Sequence, residues 1–205
     1  MPLYGCFNTT SEIDITALPN SFVMKPTHGS GWVVRCFDKK NFNWSQEKAK
    51  LDGWLATKFY FRFRERPYRA IKPRVIIEKY LGTGDVSPAD YKIFCFGGKP
   101  MFVEVDTDRF LEKPKNRMHD LNWNYLFGKN INAGEVRIPK PDNLNQLIVL
   151  AEKLSKPFAH VRVDLFSVDG AIYFSELTFM HASGFSSFIP DEWDKKLGEL
   201  FILTP

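Results

Sequence analysis

Short apolar-rich runs over residues 22–27 and 31–37 flank the turn His28-Gly29-Ser30-Gly31. That pattern predicts two strands around a turn. Leu51, Trp54, Leu55 and Phe59 then recur at helical spacing, which predicts a helix over about 45–60 with Ser45 as its N-cap. Val75, Ile76 and Ile77 form the apolar run of the next strand, over 73–81. Two further strands, 91–96 and 99–105, read as a hairpin across Gly97-Gly98, a strong two-residue turn signal. Leu144, Leu147, Ile148, Ala151 and Leu154 share one face of an amphipathic helix that Asn143 is placed to cap and Pro157 to end. A strand pair over 161–166 and 172–178 follows, then a short helix over 192–201.

The alternation of strands and helices points to an α+β or mixed α/β domain. Gly, Pro, Ser and Asp crowd residues 81–90, which read as a junction between two lobes. Residues 106–141 are polar, with few clean periods, and carry Pro114, Gly128, Gly134, Pro139 and Pro141. They are expected to form a long irregular insertion.

Composition changes little in this picture. The chain has 205 residues, 25% charged and 44% hydrophobic, which suits a soluble protein of one large domain or one domain in two lobes. Cys6, Cys36 and Cys95 are odd in number and widely spaced, so neither a disulfide framework nor a zinc knuckle is indicated. No signal peptide or membrane span is readable, and the cytoplasm is the expected compartment. The net charge of +4 is uneven. Lys58, Arg62, Arg64, Arg66, Arg69, Lys72 and Arg74 face one acid, Glu65, and are interleaved with Phe59, Tyr60, Phe61, Phe63 and Tyr68. Such a segment suits nucleic acid, an anionic polymer, nucleotide phosphates or a solvated basic face.

The chemistry concentrates in the last strand pair, where Arg162, Asp164 and Glu176 sit inside otherwise apolar β-type runs. Charges buried in a sheet are costly unless something pairs with them, and a divalent metal with a polyphosphate would do so. Two carboxylates, phosphate oxygens and waters suit Mg²⁺; a structural Arg–Glu pair is the plainer alternative. Arg162 and Asp164 share a face by the period-two rule. A two-residue Asp169-Gly170 turn would send Glu176 to the opposite face. A three-residue Val168-Asp169-Gly170 loop would set Glu176 across from Arg162 and diagonal to Asp164. The shared-metal reading therefore predicts the three-residue loop, unless a bulge elsewhere shifts the count.

Other candidates are weaker alone. The glycines of His28-Gly29-Ser30-Gly31 would let backbone N–H groups converge on an anion, with Lys25 in reach of the same phosphate; turns of this kind are also common between strands. Ile76-Ile77-Glu78-Lys79-Tyr80-Leu81 suits an adenine pocket, or simply a strand end turning to solvent. Lys92 shares a face with Phe94 and Phe96, where it would either snorkel or meet phosphates. His28 and His181 lie in Gly/Ser-containing loops, and neither reads as a metal ligand.

In their order these pieces resemble an ATP-grasp domain, and specifically the TupA-like ATP-grasp proteins of bacterial surface-polymer and polysaccharide biosynthesis. The residues that carry the resemblance are Phe22 through Trp32, Ile77-Glu78-Lys79-Tyr80-Leu81, Asp90 through Pro100, and Val161-Arg162-Val163-Asp164-Leu165-Phe166 with Tyr173 through Gly184. The resemblance implies two lobes, 1–84 and 85–205, each with an antiparallel sheet and helices, and a nucleotide cleft between them. It implies ATP and Mg²⁺ as cofactors. Lys25, Lys92 and Arg162 would meet the phosphates, and His28, Gly29, Ser30 and Gly31 would form the covering loop. Glu78, Lys79, Tyr80 and Leu81 would contact adenine, and Asp85 the ribose. Asp164, Glu176 and Thr178 would hold Mg²⁺, and His181 with Ser183 would face the acceptor. The implied reaction is ligation: a carboxylate becomes an acyl phosphate and an amine or other nucleophile displaces phosphate. Transfer of phosphate to a hydroxyl and non-catalytic binding of a nucleotide or polyanion are the alternatives. An anionic polymer is the expected kind of acceptor, nucleic acid is disfavoured, and a homodimer is open. Two departures stand out. Thr178 occupies the position where such enzymes commonly carry Asn, and only about twenty residues precede the first matching strand, so the first lobe is open to truncation at its start.

Overall fold

The structure is a computed structural model that describes residues 1–107, 115–127, 138–185 and 191–202. The chain divides into two compact units, Met1–Gly84 and Asp85–Pro205. Among the described residues, no helix is long and apolar enough to cross a membrane.

The first unit holds strands β1 (Leu3–Phe7), β2 (Phe22–Pro26), β3 (Val34–Cys36) and β4 (Val75–Lys79), with helices α1 (Trp44–Leu55) and α2 (Tyr60–Phe63). Its sheet is antiparallel, in the order β1-β4-β2-β3. The strands read around the 28–31 turn and over 73–81 are present: Phe22 and Met24 on β2, Val34 and Cys36 on β3, and Val75 and Ile77 on β4 are buried with Leu51 of α1. β1 was not foreseen, because five residues with mixed exposure carry no clean period. It pairs with β4 from Leu3↔Glu78 to Phe7↔Val75.

The predicted helix over 45–60 is corrected at both ends. Asn43, not Ser45, caps α1, its side chain accepting from the Gln46 N–H at 3.1 Å. The helix stops at Leu55, where the His28 imidazole Nε2 lies 3.0 Å from the Trp54 carbonyl and 3.1 Å from that of Thr57. Both carbonyls also accept from the chain just beyond the helix, Trp54 O from the Thr57 N–H at 3.0 Å and Thr57 O from the Phe59 N–H at 3.1 Å, so His28 adds a second contact at this helix end.

The second unit holds β5 (Asp90–Phe96), β6 (Lys99–Thr107), β7 (Lys115–Asp120), β8 (Tyr125–Phe127), α3 (Leu144–Ser155), β9 (His160–Val168), β10 (Ala171–Thr178) and α4 (Glu192–Glu199). Its six strands form one antiparallel sheet in the order β10-β9-β5-β6-β7-β8. One face packs on α3 and carries Ile93, Val103, Val163 and Leu165, all fully buried with Leu147 and Ala151. Each such side chain contributes about 2 kcal/mol relative to its exposed state. The other face carries Phe94, Phe96, Phe102 and Met118 against Leu197 of α4.

Three further expectations are corrected here. Residues 106–141 are not wholly irregular: β7 and β8 extend the sheet from β6 through Met118↔Glu104 and Met118↔Phe127. The rest of that stretch, 108–114 and 128–137, lies outside the described residues. Asn143 stands at the N-terminus of α3 but makes no capping bond with its side chain. Its amide instead accepts from Ser167 Oγ at 3.0 Å and donates to the Gly170 carbonyl at 3.3 Å, which ties the helix start to the β9–β10 hairpin.

The third correction concerns that hairpin. Ala171 pairs with Val168, so the turn is the two-residue Asp169-Gly170, not the three-residue loop. Both residues have positive φ, 51° and 77°, as a type I′ turn requires. Ser175 then bulges out, because Phe174 pairs with Leu165 while Glu176 pairs with Asp164. One extra residue reverses the parity. Glu176 therefore lies across from Asp164 rather than Arg162, and Thr178 takes the position opposite Arg162. The β5–β6 hairpin is built the same way. Gly97-Gly98, with φ of 55° and 75°, makes the turn, and Met101 is the extra residue between Cys95↔Pro100 and Phe94↔Phe102.

Candidate functional site

The two bulges align the charged positions of the second sheet in one row. Glu104 on β6 pairs with Lys92 on β5, Lys92 with Asp164 on β9, and Asp164 with Glu176 on β10. Asp106 and Asp90 form a row to one side. Phe102, Phe94, Arg162 and Thr178 form the row on the other. All lie on the face opposite α3, since Tyr91, Ile93, Val103, Val105, Val163 and Leu165 alternate with them into the apolar core.

Each charge in these rows has a definite partner. The Lys92 ammonium donates to Asp90 and, at 2.7 Å, to Asp106 Oδ2. It is buried rather than snorkelling. Burial pulls its pKa down, but Asp90, Asp106 and Asp164 outweigh that and hold it above the ordinary lysine value. Asn116 of β7 donates to both Glu104 and Asp106. Arg162 grips Asp164 with two parallel bonds, Nε to Oδ1 at 2.7 Å and Nη2 to Oδ2 at 2.6 Å. The guanidinium also donates to Thr178 Oγ1 at 3.1 Å and lies 3.6 Å from Glu176 Oε1. The Thr178 hydroxyl in turn donates a hydrogen bond to Glu176 Oε1 at 2.8 Å. Phe94 floors the site, with the Arg162 guanidinium 5.9 Å from its ring centre.

Asp164 and Glu176, paired across β9 and β10, share the Arg162 guanidinium. Burial pushes the Asp164 carboxyl up to about 7, against the lowering effect of the Arg162 bonds. A cation brought to Asp164 and Glu176 would relieve that desolvation. Among the described residues no three His, Cys, Asp or Glu side chains converge as a complete metal cage. The donor set nevertheless fits Mg²⁺, a hard ion that takes one or two carboxylates and draws its other ligands from phosphate and water. Asp164 and Glu176 face each other, and the Glu176 side chain is 59% exposed and open to an incoming ligand.

His181 flanks this row, with Nε2 3.9 Å from Glu104 Oε2 and its ring edge-on to Phe94 at 5.3 Å. Ala182 and Ser183 follow in the left-handed region, with φ of 46° and 58°. For non-glycine residues this costs about 1 kcal/mol or more each.

In the first unit, Lys25 and Glu78 meet at 2.7 Å on the sheet face opposite the core. They are diagonal neighbours, Glu78 pairing with Val23 and Lys25 with Ile76. The His28 side chain is buried in the first unit. It is 3% exposed, edge-on to Trp32 at 5.6 Å, and holds the end of α1, so only its backbone remains for an anion. Gly29 serves packing, since a Cβ there would come within 2.6 Å of the Trp32 ring. Ser30 and Gly31 are exposed, and Gly31 has φ of 77° with open space around it. At the end of β4 the Lys79 N–H is taken by the Pro2 carbonyl at 2.9 Å, which removes one donor expected for a base edge. Tyr80 packs on Phe37 at 5.2 Å and donates its hydroxyl proton to Gly84 O at 2.8 Å. Leu81 is half-buried, and Asp85 is exposed at the start of the second unit.

Within the second unit, then, Lys92, Arg162, Asp164, Glu176, Thr178 and His181 stand on one sheet face. Sequence reasoning missed Asp90, Glu104, Asp106 and Asn116. The signal was present as Asp90-x-Lys92 and Glu104-x-Asp106, two charged pairs at period two inside apolar strands joined by a tight hairpin.

No curated protein matches the chain. Among solved structures it is similar to the D-alanine–D-alanine ligase of Bacillus anthracis complexed with ATP, at 16% identity and a TM-score of 0.48, over 96% of this chain and 56% of that one. It is also similar to the macrocyclase MdnC bound with precursor peptide MdnA from Microcystis aeruginosa MRC, at 10% identity and a TM-score of 0.43, over 100% of this chain and 56% of that one. The chain thus spans little more than half the length of these structures. The profile of TupA-like ATP-grasp proteins matches residues 1–202, nearly the whole sequence, and the chain belongs to that family.

Proposed function

We propose that this chain binds ATP with Mg²⁺ and activates a carboxylate as an acyl phosphate for attack by an amine or another nucleophile. The observation that carries the reading is the pairing of Glu176 with Asp164 beside Arg162 and Lys92, on one sheet face. Mg²⁺, when bound, supplies charge that neutralises the polyphosphate. Asp164 and Glu176 would hold it, with the Thr178 hydroxyl fixing the orientation of Glu176. Lys92, kept protonated by Asp90 and Asp106, offers the phosphates a cation that cannot swing away. Arg162 is held planar against Asp164 and presents its remaining edge to an anion. Such fixed charges stabilise developing charge without reorganising at the moment of reaction.

In the transfer, a carboxylate oxygen bonds to the γ-phosphorus as the bond to the β–γ bridging oxygen breaks and ADP leaves. The nucleophile then bonds to the acyl carbon, loses its proton, and phosphate departs. In the first unit, Lys25 and the backbone of residues 28–31 are assigned to the phosphates, and Glu78 with residues 79–81 to adenine. Asp85 is assigned to the ribose, and His181 and Ser183 to the acceptor. Family membership supports ATP-grasp chemistry; a place in cell-surface polymer synthesis in the cytoplasm, with an anionic acceptor, is part of the same proposal.

Trapping the activated carboxylate tests the chemistry. With ATP, Mg²⁺, hydroxylamine and either glutamate or glucuronate, the expected products are a hydroxamate and free phosphate, both lost in Asp164→Asn. A phosphorylated hydroxyl with no hydroxamate would make the protein a phosphotransferase, and full turnover by Asp164→Asn would contradict the site.

A further inference from the structure

Residues 58–74 play no part in the carboxylate row, yet they carry seven cations against one acid. The segment is a knuckle on the first unit. α2 ends at Arg64, which has a φ of 60°, and a single 3₁₀ turn, Arg66–Arg69, follows. Phe59, 3% exposed, anchors the knuckle from below against Trp32 and Tyr68, each at 5.0 Å between ring centres. Phe61 and Phe63 stand outside, 58% and 41% exposed. Arg62 lies 5.1 Å from the centre of the Phe63 ring, and Arg64 lies 5.3 Å from that of Phe61. Arg66 and Arg69 are exposed beside them.

We infer that this knuckle docks the protein on an anionic phospholipid surface, with Phe61 and Phe63 entering the boundary between headgroups and acyl chains and Arg62, Arg64, Arg66 and Arg69 pairing with lipid phosphates. Exposed phenylalanine among cations is the composition of an interfacial contact, where burial of the rings and attraction to anionic headgroups act together. A soluble polyanion would satisfy the arginines and leave both rings in water. Single-stranded nucleic acid stacks its bases on open ring faces, and here each ring already has a guanidinium over one face. The inference does not depend on ATP chemistry, so failure of either leaves the other standing.

Co-sedimentation with vesicles decides it. The full chain should bind mixed phosphatidylcholine–phosphatidylglycerol vesicles and not phosphatidylcholine alone. Phe61→Ser with Phe63→Ser should lower partitioning about tenfold, and each Arg→Ala change at Arg62, Arg66 or Arg69 about fivefold. Phe61→Ser alone, at the more exposed ring, should weaken binding with an unchanged melting temperature, which keeps the result clear of folding. Absence of binding to the mixed vesicles at low salt would overturn the assignment. So would binding indifferent to Phe61→Ser, or tighter binding of polyglutamate or single-stranded DNA than of the vesicles.

Discussion

Glu176 stands opposite Asp164 on the neighbouring strand because Ser175 is bulged out of β10. The turn before it has two residues, and an unbroken ladder would have sent Glu176 into the core face. The bulge places Glu176 beside the buried Asp164, with the Arg162 guanidinium 3.6 Å from one and doubly bonded to the other.

Thr178 joins the two sides of that arrangement, accepting from Arg162 and donating to Glu176. Thr178→Val keeps the shape and removes both bonds. Hydrogen bonds to charged groups contribute about 1.5–3 kcal/mol each, so the variant should weaken Mg²⁺-dependent ATP binding about tenfold. Thr178→Asn, which offers a carboxamide oxygen, should bind at least as tightly as the parent. Calorimetry of both variants checks this.

Binding should also depend on pH through Asp164. Its carboxyl is held up at about 7 by burial, and only the ionised form can ligate a cation. Metal affinity should therefore rise with pH, about tenfold between pH 6 and pH 8. Folding runs the other way. The folded state keeps this proton above the unfolded carboxylate pKa, so the group's contribution to stability falls as pH rises from about 4 to about 7. Urea midpoints without metal, compared with Mg²⁺ titrations over the same range, should show the two opposite slopes.

Lys92 holds Asp90 and Asp106 together inside the sheet. Lys92→Met would leave both carboxylates buried and without their cation. Removing one partner of a buried ion pair costs about 3–5 kcal/mol. The loss should appear in urea denaturation at pH 7 and shrink toward pH 5, as the stranded carboxylates take up protons.

His28 belongs to the fold of the first unit. His28→Ala opens a space beside Trp32 and removes the imidazole from the carbonyls of Trp54 and Thr57, which keep only their backbone donors. It should lower stability by about 2 kcal/mol, while folded protein keeps an ATP affinity within about threefold of the parent. Thermal melts and calorimetry on the same samples separate these effects.

The strands that alternate cleanly were legible in the sequence, as were α3 and the residues Lys92, Arg162, Asp164 and Glu176. Parity was not. Ser175 and Met101 look like ordinary strand residues, and the bulge at Ser175 brings Ile172 and Leu177, five residues apart, onto the same core face. Asn143 shows a second limit: a good capping residue went to Ser167 and Gly170 because the hairpin packs there. β1 was hidden because an edge strand of five residues gains its stability from pairing with β4, not from a period of its own.

Isothermal titration of the chain with ATP, with and without Mg²⁺, tests the central claim most directly. Heat of binding is expected only with Mg²⁺ present, and it should fall at least tenfold in affinity in Glu176→Gln at unchanged melting temperature. No binding at millimolar ATP, or equal binding by Glu176→Gln and the parent, would contradict it.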